Sequence, residues 1–256
     1  MKIALQLFSL YNIMKQEDGL CKALKYAADA GYDGVELSGL FDLSPEEVKA
    51  ELDKNGLEAA GYHIGWPPIK LEDLENDPEG VIQIAKTLGL QSMTVASYNG
   101  KTRQEWVDFA TRVNKIGKVF RVNGIPLCYH NHRHELKPLP DSDEIIIDLF
   151  LSLCDPENIF WQIDTRHIVV ARKDPLEFAR KYKDRAPFIH VHDCAELTGE
   201  DSARDCAVGS GIVDNKGAVL ASGNHEWLIV EETPCENDED SLADMRKSLA
   251  YLRANF

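Results

Sequence analysis

Gly34-Val35-Glu36-Leu37, then Ser44-Pro45, then Gly56, then Glu58-Ala59-Ala60-Gly61-Tyr62-His63: between residues 34 and 63 the chain writes a strand, a helix and a second strand. Ser44 offers a hydroxyl oxygen to the open N–H groups of a helix start, and Pro45 suits the first helical position, where no N–H is needed. Gly56 supplies the left-handed residue that ends a helix. The flanking runs are too short to identify alone, and the helix between them decides the reading.

The same unit recurs in both directions. Further strands are expected at Ile3–Phe8, Ser92–Ala96, Pro126–Tyr129, Ile159–Ile163, Phe188–His192 and Leu228–Glu231. Asp77-Pro78 and Asp174-Pro175 repeat the capping signal, and Gly31, Gly89 and Gly124 repeat the stop. In the first helix Leu20, Leu24, Ala27 and Ala28 share one face. Strands alternating with helices imply a parallel α/β sheet, open or closed. Eight units in 256 residues favour closure, so residues 1–256 are expected to form one (β/α)8 barrel. No Pro/Gly/Ser linker divides them.

The net charge of -15 leaves no basic stripe to displace counterions from phosphates, so nucleic acid is not an expected partner. The run Glu236-Asn237-Asp238-Glu239-Asp240 reads as a solvated helix start. Six scattered cysteines contain no C-x-x-C pair, the first residues are too short an apolar run for a signal peptide, and no segment reads as a membrane span. A reducing cytoplasm is the expected setting.

Chemistry concentrates at the carboxyl ends of the strands: Glu36, His63, His130 with His132, Asp164, His190 with His192, and Glu231. Barrel enzymes assemble their sites there, because the strand–helix loops converge at that face. Buried carboxylates and imidazoles at one mouth satisfy each other best around a cation, and mixed His/Asp/Glu sets suit divalent metals.

Several pieces in order resemble the xylose isomerase-like barrel superfamily, in its sugar isomerase/epimerase branch. They are Gly31-Tyr32-Asp33-Gly34-Val35-Glu36, Tyr129-His130-Asn131-His132-Arg133-His134-Glu135, Asp164-Thr165-Arg166-His167, Ile189-His190-Val191-His192-Asp193, Val208-Gly209-Ser210-Gly211-Ile212-Val213-Asp214 and Ile229-Val230-Glu231. The branch includes ketose 3-epimerases, hydroxypyruvate isomerases and inosose dehydratases, all TIM barrels. The resemblance implies one divalent metal held by Asp164, His190 and Glu231. The fourth ligand, a Glu in the family, falls here on His130. Either His130 supplies a nitrogen or the pairing slips to His132, and register favours His130.

The resemblance further implies proton abstraction beside the carbonyl of a small keto-sugar or polyol, with Glu231 as base and the metal polarising the carbonyl. Epimerisation on two faces would need His132 or Glu135 as a second base. Single-base isomerisation, or dehydration of an inosose, needs less rearrangement. His167 and His192 are expected among the substrate contacts, Glu36 and His63 on the opposite wall, and Trp66 stacked on a sugar face or packed beside Pro67-Pro68. The nitrogen-rich ligands lean toward Mn, Co, Zn or Fe over Mg. A DNA-cleaving role, as in the abasic-site endonucleases of the superfamily, conflicts with the acidic charge. A non-catalytic barrel conflicts with the intact Asp164, His190 and Glu231. Gly209-Ser210-Gly211 reads as a turn rather than a phosphate loop. A homo-oligomer is compatible with the sequence, and nothing in it demands one.

Overall fold

A computed structural model describes residues 1–223 and 225–256. Among the described residues ten strands run in chain order: β1 (Lys2–Gln6), β2 (Gly34–Leu37), β3 (Glu58–Ile64), β4 (Met93–Val95), β5 (Leu127–His130), β6 (Ile159–Asp164), β7 (Phe188–Val191), β8 (Asp193–Leu197), β9 (Ala203–Cys206) and β10 (Trp227–Val230). Eight of them close a parallel barrel in the order β1-β10-β7-β6-β5-β4-β3-β2, sealed where Lys2 to Leu5 pair with Trp227 to Val230. The expected (β/α)8 barrel is the observed fold.

The capping chemistry operates as the sequence implies. Ser44 and Glu47 form a reciprocal capping box at the helix Pro45–Asn55, and Gly56 ends it with φ 68°. Asp77 and Asp174 each accept a backbone N–H at the start of their helices.

Alternation along each strand sorts the side chains into two cores. Ile159, Trp161 and Ile163 of β6, Ile189 and Val191 of β7, and Leu228 and Val230 of β10 pack outward against the helices. Ala4, Ala60, Cys128, Phe188, Trp227 and Ile229 form a second cluster, with Phe160 against it. These inward positions plug the amino-terminal end of the barrel. One step further along the same strands come Gln6, Glu36, His130, Gln162 and His190, all buried and all polar. The barrel axis is therefore apolar at one end and ionisable at the other.

β3 breaks parity to join this layer. Val35 pairs with Ala59 but Glu36 pairs with Gly61, leaving Ala60 as an extra bulge residue. Above the bulge Gly61 and His63 face the axis.

Several boundaries differ from expectation. β1 stops at Gln6, whose side-chain oxygen accepts the Phe8 N–H at 3.0 Å and starts a tight turn over Leu7–Leu10. β7 and β10 stop one residue earlier than expected, so His192 and Glu231 stand on the rim beyond the ladder. The antiparallel hairpin β8–β9, inserted after β7, was not expected at all.

Candidate metal centre at the mouth of the barrel

Glu36 is the anchor at the base of the site. Its Oε1 accepts from Gln162 Nε2 at 2.6 Å, and its Oε2 accepts from Gln6 Nε2 at 2.6 Å. The same Oε2 lies 2.7 Å from His190 Nε2 and 3.1 Å from His63 Nε2. Burial alone would raise this carboxyl, but the charges of His63 and His190 beside it hold it well below the usual range.

Donating its amide hydrogens to Glu36 turns the Gln162 oxygen toward two rings, His63 Nε2 at 2.9 Å and His130 Nδ1 at 3.2 Å. His130 therefore donates through Nδ1, which leaves a lone pair on Nε2, 4.0 Å from Glu231 Oε2. Burial and the neighbouring His190 keep His130 neutral, well below the usual imidazole value. A backing group fixes the tautomer and aims the free nitrogen, as for metal-binding histidines in general.

His190 lies flat against His63, with centroids 5.3 Å apart and planes within 2°. Its Nε2–H reaches Glu36 at 2.7 Å and its Nδ1–H reaches Glu231 Oε2 at 2.6 Å. Burial works against its charge. The Glu36 field and the two hydrogen bonds outweigh burial and push it up to about 10. Glu231 is the one carboxylate of the inner set with solvent access, its side chain 14% exposed, whereas those of Glu36 and Asp164 are fully buried.

Asp164 closes the set. Its Oδ1 accepts the His167 N–H at 2.7 Å, capping the helix Thr165–Val170, and its Oδ2 lies 2.9 Å from His192 Nδ1. Burial would raise it, but His192 and His167 hold it well below the usual carboxylate range. Burial pushes His167 down to about 3.

The structure brings together much of what the sequence nominates. One ligand atom from each of His130, Asp164, His190 and Glu231 lies within 4.8 Å of the others. Two neutral-ring nitrogens and two carboxylates form a mixed set that fits one divalent ion, once His190 releases a proton. Overlapping groups, His130 with His132 and His167, and Asp164 with His167 and His192, meet the same spacing. On that side His132 Nδ1, His167 Nδ1 and His192 Nε2 are buried without a hydrogen-bond partner. Such orphans are rare and mark where something else belongs.

Other nominated residues sit elsewhere. Glu135, expected as a second base, braces its own loop: its oxygens accept from Tyr129 Oη at 2.6 Å and the His132 N–H at 2.9 Å, with His134 Nδ1 at 3.2 Å. Glu36, expected on the substrate wall, lies fully buried beneath His63 and His190. Trp66 packs at the rim against Phe8 and Tyr11, with centroids 5.9 and 5.2 Å away.

Gly209 and Gly211 spend their N–H groups on Asp193 Oδ2, at 2.9 and 3.1 Å, which makes this loop a braced turn. Gln6, Gln162 and Asn131 carry no signal of a role in the sequence. Asn131 accepts from both Trp161 Nε1 and the Asp164 N–H at 2.9 Å, tying the ends of β5 and β6 together.

Known proteins match this architecture. Curated relatives include inosose dehydratases from Mesomycoplasma hyopneumoniae, 27% identical with 91% of this chain and 87% of theirs covered, and from Lacticaseibacillus casei, 25% identical with 79% and 78% covered. A sugar phosphate isomerase/epimerase from Parabacteroides distasonis superposes with TM-score 0.81 at 22% identity, covering 99% of this chain and 94% of its own. The IolI protein with a bound zinc atom superposes with TM-score 0.75 at 14% identity, covering 100% and 99%. The family model described as xylose isomerase-like TIM barrel matches residues 24–255, and the chain belongs to that family.

Proposed function

We propose that the protein is a divalent-metal-dependent isomerase or epimerase that removes a proton beside the carbonyl of a small keto-sugar or polyol. The observation that carries this reading is Glu231: an accessible carboxylate within ligand distance of His130, Asp164 and His190. Those four residues would hold the ion, which when bound polarises a carbonyl and its neighbouring hydroxyl as a Lewis acid.

The protein's own groups do the rest. His190 lowers Glu231 below the usual carboxylate range by a hydrogen bond, against the opposing effect of burial, so the base is ionised and oriented. Glu36, Gln6 and Gln162 keep the imidazoles from rotating. The unpartnered nitrogens of His132, His167 and His192 are buried beside the candidate ligands and suit the hydroxyls of a polyol. One base on one face serves a proton shift between adjacent carbons. Epimerisation would need a second base on the opposite face, and with Glu135 and Glu36 buried and hydrogen-bonded that role would fall to His132.

A second reading is dehydration of an inosose-like ketone, favoured by the curated relatives and by this single accessible carboxylate. Incubating metal-replete protein with ketoses and inososes in deuterated water separates the two. Isomerisation gives deuterium-bearing product that keeps all its carbons and oxygens, and dehydration gives product that has lost one water. Glu231→Gln is expected to lower exchange by at least a hundredfold. Asp164→Asn is expected to lower bound metal in elemental analysis. Exchange and metal content unchanged in both variants would refute the assignment.

A further inference from the structure

The loop after β5 carries a second chemistry that the metal centre does not use. A cavity of about 330 Å³ opens beside His132, lined by Arg133, His134 and Lys137 together with Ser97, Asn99 and Asp201. Asn99 Oδ1 also holds the Lys101 ammonium at 2.8 Å on the same rim. In a chain of 43 acidic and 28 basic residues, this wall runs against the overall sign.

Asp201 belongs to the tip of the β8–β9 hairpin, and its carboxylate is ion-paired with Lys137. That pairing places an anion of this chain's own against the cationic wall. Arg133 is exposed and makes no hydrogen bond or ion pair among the described residues, so its planar fork is available to a second anion. The cavity adjoins the candidate centre at His132, which lines it and lies within ligand spacing of His130 and His167.

We propose that this cavity receives an anionic group of the substrate, a phosphate or a carboxylate, at the end remote from the carbon that loses its proton. The inference rests on the proposed function and narrows its substrate to an acidic or phosphorylated polyhydroxy ketone. Arg133 grips the anion in a two-pronged contact. Lys137 adds its charge as the incoming group displaces Asp201. The tip of the hairpin thus holds the pocket in a cationic arrangement until substrate arrives.

The test is equilibrium binding of inorganic phosphate and, separately, of acetate to the purified full chain, read by calorimetry at low salt. At least one anion is expected to bind. Arg133→Ala is expected to weaken it about tenfold, in line with the loss of one charge-assisted contact. Asp201→Asn is expected to tighten it a few-fold by removing the competing carboxylate, and the wild-type affinity is expected to fall as salt is added. Phosphate binding weakened in Arg133→Ala assigns a phosphate end, and acetate binding weakened in the same variant assigns a carboxylate end. No binding by either anion, or equal affinity in wild type and Arg133→Ala, overturns the proposal. These outcomes are independent of solvent exchange at carbon, so failure of the reaction and failure of the pocket are told apart.

Discussion

Glu232 follows the proposed base by one residue and faces the opposite way. It is 5% exposed, its carboxyl accepts from the Ser248 hydroxyl, and its N–H donates to Ser9 Oγ at 3.0 Å. Burial pushes the carboxyl up from 4.5 to about 7. The folded protein therefore keeps a proton that the unfolded chain releases at lower pH. Stability is full below about 4.5 and declines as pH rises through 7, by at most about 3 kcal/mol. Glu232→Gln should remove that decline. Urea denaturation at pH 5 and pH 8 checks it, and parallel losses in wild type and variant would refute it. Gly61 makes a steric prediction: a Cβ there would stand 2.8 Å from Glu36 Oε1 and from Ser92 Oγ. Gly61→Ala should cost about 1–3 kcal/mol through overpacking and loosen divalent-metal binding about tenfold by shifting the carboxylate under His63 and His190. A metal titration indistinguishable from wild type would show that the brace is dispensable. At this scale the sequence reveals ionisable residues at strand ends because their type is unusual there. It hides Gln6 and Gln162, since neutral amides occur everywhere and only the folded geometry shows them aimed at Glu36. It does not separate a free loop carboxylate from one held, as Glu135 is, by Tyr129 and the His132 N–H.

Among the elements, the segment after β7 departs furthest from a plain strand–helix repeat. Asp193 collects the N–H groups of Cys194, Gly209, Gly211 and Val213 on its two oxygens, at 2.8 to 3.1 Å. One fully buried carboxylate thus replaces the regular ladder that the chain leaves at Val191. Asp193→Ala would strand several buried N–H donors and should destabilise the protein by about 3–5 kcal/mol, with hydrogen exchange rising first across residues 208–213. A loss under 1 kcal/mol in urea unfolding would mean that water replaces the carboxylate at little penalty. The glycines announce this turn in the sequence, but nothing local shows that its partner lies sixteen residues earlier. β8 and β9 leave no strand signal in the sequence because each is short and half-exposed, without an apolar run. The capped helices were readable because Ser44, Asp77 and Asp174 act on N–H groups within three residues.

For the molecule as a whole, alternation and length favour a barrel, because each unit carries its own start and stop signals. Whether the sheet is open or closed is decided by the pairing of β1 with β10, a contact between residues more than two hundred positions apart that no local pattern encodes. The same seam sets the order of events during synthesis. Until Trp227 to Val230 have emerged from the ribosome, β1 keeps one edge of N–H and C=O groups open, beside an incomplete apolar plug that still lacks Trp227 and Ile229. Nascent chains arrested before residue 227 should therefore be cut readily by protease within residues 2–6 and should recruit chaperones. Chains arrested well past residue 230 should resist both, and equal resistance at the two lengths would mean that seven strands already guard their own margin.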